Sequence, residues 1–204
     1  MRRFSIVVTV LVALLSLNAA AEADEVTEAI AKAEEAYAAE NYKDASTELQ
    51  NALVGVHRIL IELIQAQLPE APSGWTVDDP EGMDASAFGM GFFANLMVSR
   101  TYYPPGGSSI EVSIAANSPL IGALQAFVSN PMMAAMSGGE MKKSEICGND
   151  AIEEFSEEND EASINILAGR STLIAVEGDG YADEDHVRTL AGMIDCAGIV
   201  ELVE

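Results

Sequence analysis

Met132, Met133 and Met136 place three thioethers within one short stretch, bounded by Pro131 and by Gly138-Gly139. Thioether sulfur is a soft donor that suits Cu(I), and residues four apart on a helix share a face, so Met132 and Met136 can meet one ion. Copper handling is one reading of the segment. Copper sites of this kind usually add histidine or denser methionine repeats, and neither is near. The simpler reading is gap-filling core, because methionine is unbranched and adaptable. The same property suits an apolar binding surface, formed by Met132, Met133 and Met136 with Phe127 of the preceding apolar helix.

Other site chemistry fails on counting. The chain has two histidines, His57 and His186, and neither stands at a zinc spacing from Cys147 or Cys196. The loop from Glu177 offers Asp179, Asp183 and Asp185 as oxygen donors. An EF-hand would need an acid at position five, glycine at six and glutamate at twelve. Tyr181, Ala182 and Arg188 stand there instead. No G-x-S-x-G elbow, phosphate-binding P-loop or G-x-G-x-x-G fingerprint occurs. The residues therefore predict a non-enzymatic protein with no cofactor and no dedicated metal site.

The start of the chain addresses its location. Arg2 and Arg3 precede an apolar run from Phe4 to Leu17, and small-x-small sites follow at Ala19–Ala21 and Ala21–Ala23. This pattern predicts a secretory signal peptide over residues 1–21, with cleavage after 23 as the alternative. The run is short for a membrane span, and no later run is long enough, so no stable membrane insertion is expected after cleavage. The product is expected to be periplasmic or secreted.

The chain holds 33 acidic against 10 basic residues, two of the latter in the leader. A field this negative repels phosphate backbones and anionic headgroups, which argues against nucleic acid as a partner. An envelope protein or a small apolar ligand remains compatible with it. Cys147 and Cys196 invite one disulfide in an oxidising compartment. Two buried thiols fit the sequence equally well.

The elements follow from hydrophobic period. Residues 22–67 predict a helical hairpin, with Asn41 capping the second helix. Tyr42, Ala45, Leu49, Ala52, Val56, Ile59 and Leu63 step by three and four, which is a heptad seam. Residues 68–82 hold Pro69, Pro72 and Pro80 and read as a linker, and Trp75 within them is expected to be a core or inter-element anchor. Residues 83–204 then alternate with period two. Strands are expected at Leu96–Tyr103, Ile110–Ala116, Met141–Ile146, Ala151–Phe155, Ser163–Ala168 and Ser171–Glu177. A helix starts at Ser118-Pro119, with Leu120, Leu124, Phe127 and Val128 as its apolar side, and a last helix spans about Asp183–Ile194. The fold class is α+β: a helical hairpin followed by a mostly antiparallel sheet with helices packed on one face.

The stretch EAYAAENYKDASTELQNAL, residues 35–53, resembles one tetratricopeptide-type helical hairpin, with Tyr37, Tyr42, Ala45, Leu49 and Ala52 at that repeat's packing positions. Ala33 and Glu40 stand where the repeat usually has glycine, and no second copy follows. A lone copy cannot build a solenoid, so the resemblance implies hairpin geometry alone. The strand-rich pattern of residues 83–204, with helices at defined points, is similar to that of small exported α+β domains of the PsbP and Mog1 type. Together these readings predict an exported binding protein that engages a protein partner or an apolar ligand, with copper handling through methionine as the alternative.

Overall fold

The computed structural model describes residues 25–84, 96–130, 141–156, 161–179 and 183–204. The expected leader, most of its flanking residues and Met132, Met133 and Met136 lie outside the described residues. The chain divides into two compact units, one up to Leu60 and one from Ile61 onward.

The first unit is the expected hairpin. Helix α1 covers residues 25–38 and helix α2 runs Tyr42–Gln65, continuing past the unit boundary. Glu40 takes a left-handed conformation, with φ of 60°. The Asn41 N–H donates to the Ala36 carbonyl and the Glu40 N–H to that of Tyr37, at 2.9 and 3.0 Å. This closes α1 as glycine usually does, with glutamate bearing the left-handed cost. Asn41 then caps α2: its carbonyl and side-chain oxygen accept from the Ala45 and Asp44 N–H groups.

The second unit is an antiparallel sheet of eight strands: β1 Thr76–Val77, β2 Glu81–Asp84, β3 Leu96–Tyr103, β4 Ser109–Ala116, β5 Met141–Ile146, β6 Asn149–Ser156, β7 Glu161–Ala168 and β8 Thr172–Asp179. The order is β1-β3-β4-β8-β7-β6-β5, with β2 also paired to β3. Residues 76–77 and 81–84 of the proline-rich stretch therefore belong to the sheet edge. One face carries Val98, Tyr102, Ile110, Val112, Ile114, Ile164, Ile166, Ile174 and Val176, all buried. The Tyr102 hydroxyl donates to the Pro69 carbonyl at 2.7 Å, and burial pushes its phenol pKa up to about 12.

Among the described residues of this unit, three helices accompany the sheet: α3 Leu120–Ser129, α4 Glu184–Met193 and α5 Cys196–Val203. Helix α4 packs on β7 and β8, and its Arg188 pairs with the buried Glu153 of β6 at 3.0 Å and lies over the Phe155 ring. Helix α3 covers the opposite face, with Ile121, Leu124 and Val128 on Ala115, Leu167 and Leu173. The α+β class is as the sequence predicts, but the later helices divide between two faces. The first half of β8 is buried on both faces, which a single layer of helices cannot achieve.

Local details add to the predicted pattern. Leu120 is half exposed and Ile121 takes its place against the sheet, because α3 begins at Leu120 with Pro119 as its cap. The Ser118 hydroxyl makes no hydrogen bond among the described residues. A second terminal helix, α5, follows Asp195, whose carboxylate accepts the Gly198 N–H at 3.0 Å. Trp75 is half-buried and meets the His186 ring edge-on, with centroids 5.0 Å apart.

Cys147 and Cys196 form a disulfide, with Cα atoms 6.2 Å apart. Cys147 and Gly148, at φ of 45° and 74°, make the two-residue turn between β5 and β6. Cys196 opens α5. The bridge therefore ties the β5–β6 hairpin to the last helix. At the other end of α5, the Glu204 side chain accepts the Arg170 and Ser171 N–H groups at 2.9 and 2.8 Å, and the Ser171 and Thr172 hydroxyls. Gly169, with φ of 61°, makes room: a Cβ there would lie 2.7 Å from both carboxylate oxygens.

Two consequences are measurable. Reducing Cys147–Cys196 opens a crosslink of 49 residues' separation and is expected to lower stability by about 4 kcal/mol on the chain-entropy estimate, read by denaturant titration with and without reductant. For Glu204, burial opposes ionisation, but the hydrogen bonds at the turn outweigh it and hold the carboxyl below its ordinary value. Its stabilisation is thus present above about pH 4.3 and is lost as pH falls through the lower folded value. Glu204→Gln is expected to cost about 2 kcal/mol at pH 7, with the difference from the parent shrinking in acid.

Candidate functional site

The sequence candidates are not brought together by the described residues. Cys147 and Cys196 are structural partners. Phe127 is half-buried on α3, beside the residues that seat this helix on the sheet. Met83 and Met97 face each other across β2 and β3 at one edge of the sheet, whereas Met141 lies on β5 at the other. Met83 and Met97 line an open cleft of about 210 Å³ with Glu81, Ser99, Glu111 and Ser113. Beside it, Glu111 stands directly opposite Glu177 on the neighbouring strand. Among the described residues no group of three histidines, cysteines or carboxylates is set to hold a metal ion.

The most unusual surface is on the hairpin, where the heptad seam does not close as predicted. Ala45 and Ala52 are buried, as are Ala29 and Ala33 of α1. A Cβ at Gly55 would lie 2.6 Å from Cγ2 of Val26, so the two backbones approach closely. Small residues let helices come together in this way, but they leave no depth between them for large side chains. Most of the larger members of the seam stay outside, and Ile59 is half-buried. Leu49 is 57% exposed, and Tyr42, Val56 and Leu63 are exposed as well. Opposite the seam, α1 offers the small side chains Ala29 and Ala33.

Within the first unit, exposed apolar side chains of the two helices fall in one strip, and Leu63 lies beyond it. The Tyr37 and Tyr42 rings meet edge-on with centroids 5.6 Å apart, which fixes the sides of α1 and α2 that adjoin. A step of seven residues is nearly two whole turns, so Ile30 stays in line with Tyr37 and Leu49 and Val56 stay in line with Tyr42. Leu53 lies 40° from Leu49 on the same side. Ile30 is 51% exposed, Tyr37 67% and Leu53 52%. The result is two apolar ridges, on antiparallel helices, over a floor of alanine. Tyr42 to Val56 spans about 21 Å at the helical rise.

The borders of the strip differ in charge. Ser46 and Gln50 flank it on α2 without charge. On α1, Glu34 follows Ile30 by four residues and precedes Tyr37 by three, which sets an exposed carboxylate between two ridge residues. Lys32 cannot serve it fully. Its ammonium is 2.7 Å from Glu28, and this hydrogen bond lowers the Glu28 pKa and raises that of Lys32. The sequence marks Tyr37, Tyr42, Leu49 and Val56 as packing positions of the hairpin, whereas all four lie exposed. The alanines opposite them were the signal that the interface would be thin.

No family model, curated protein or solved structure matches the chain.

Proposed function

We propose that this is a non-enzymatic binding protein that works outside the cytoplasm and engages a protein partner through one face of its N-terminal hairpin. The observation that carries this reading is the strip of Ile30, Tyr37, Tyr42, Leu49, Leu53 and Val56 left outside the α1–α2 contact. Isolated exposed apolar residues are ordinary on any protein surface, but a contiguous strip with aromatic members is a feature of interaction sites. Exposing it costs stability that a partner would recover.

The extracytoplasmic part of the proposal has separate supports. The sequence opens with a signal-like leader, and the disulfide suits an oxidising compartment. No helix among the described residues is long and apolar enough to cross a membrane. The excess of acid keeps such a surface from capturing anionic lipid or nucleic acid without specificity.

Site-specific photocrosslinking tests the reading. A photoreactive amino acid is placed at Leu49 or Val56, and as a control at Asn51 on the far side of α2, in the protein produced in its own cell envelope. Discrete adducts at Leu49 and Val56, with none at Asn51, are expected. Equal labelling at all three positions, or none at any, contradicts a specific surface on this face.

A further inference from the structure

We infer that the hairpin's occupant is a basic amphipathic helix of another protein, laid between the two ridges as a third helix; the inference rests on the proposed function of this same face. The shape argues for a helix. Tyr42, Leu49 and Val56 repeat every seven residues, the spacing at which one helix receives the apolar side chains of another. Ile30 and Tyr37 repeat likewise on α1. The two ridges run antiparallel over an alanine floor, and helical side chains fit such a furrow. Its length of about 21 Å takes roughly four helical turns.

Charge selects the kind of helix. Residues 25–60 carry seven acidic and three basic side chains. Lys32 is paired with Glu28, and Arg58 approaches Glu25 at 3.5 Å. Glu34 sits between the ridge residues Ile30 and Tyr37, with no ion-pair partner among the described residues. A second copy would bring the same carboxylates face to face, since a two-fold interface presents one patch to itself. A helix with lysine or arginine beside its apolar stripe instead meets Glu34 with opposite charge, and the negative field of the chain speeds its arrival.

Binding of synthetic peptides to the full-length mature protein tests this. The probe is a peptide of about 18 residues with leucine at heptad spacing and lysine and arginine on its borders, a length of about five turns. One comparison peptide has the same composition in scrambled order, and another has glutamate in place of the basic residues. The basic amphipathic peptide is expected to bind, to compete with the Leu49 crosslink, and to weaken at least tenfold in Leu49→Ser/Val56→Ser. Glu34→Gln, which leaves the apolar strip intact, is expected to weaken it several-fold. Equal binding of the scrambled or glutamate peptide, or unchanged binding to either variant, overturns the inference. So does a Leu49 adduct of twice the chain mass, which would identify a second copy. If Leu49 crosslinks to another protein but the basic peptide neither binds nor competes, the occupant is wrong and the interaction face stands. If Leu49 crosslinks to nothing, the face itself falls.

Discussion

Close backbone approach at small residues decides where this protein keeps its apolar surface. Gly55 admits Val26 between the two N-terminal helices, Gly82 admits Ile61 against the sheet edge, and Gly169 admits the Glu204 carboxylate at a turn. In the second unit these approaches bring large side chains or hydrogen bonds inward. In the hairpin they have the opposite effect. Helices joined through Ala29, Ala33, Ala45, Ala52 and Gly55 have no room for tyrosine or leucine between them. The outward strip follows from that choice of residues.

The sheet shows how the same chain behaves when its core is deep. Strands β4, β8 and β7 bury isoleucine and valine on one face, and α3 covers the lower part of the other. The last helix is held at both ends, by the disulfide at Cys196 and by the Glu204 carboxylate on the β7–β8 turn. Buried apolar side chains of this size contribute roughly 1.5–3 kcal/mol each, and the sheet unit holds most of them. The hairpin buries mainly alanine, which contributes far less. The unit with the deep core and the unit with the exposed apolar strip are thus different parts of the chain.

Much of the fold was legible because its signals are local. Alternation from Ile110 to Ala116 marks a half-buried strand, and Asn41 caps a helix whatever surrounds it. The Cys147-Gly148 turn was missed because a non-glycine residue with positive φ gives no compositional cue. The division of helices between two faces was missed because a short apolar run such as Leu173–Val176 does not reveal how many layers cover it. The site was harder to read. Sequence identified the ridge residues but not their exposure, since a heptad pattern reports which side of a helix is apolar and not whether anything covers it. The methionines drew attention by composition, yet Met97 and Met141 lie at opposite edges of the sheet.

The hairpin carries an exposed apolar face and so owes little of its stability to its own packing. Hydrogen–deuterium exchange of the mature protein, resolved by segment, tests it most directly. Residues 25–60 are expected to exchange through local opening, far faster than strands β4, β7 and β8. Protection of the hairpin equal to that of the central strands would contradict it, because it would mean that the strip is already covered.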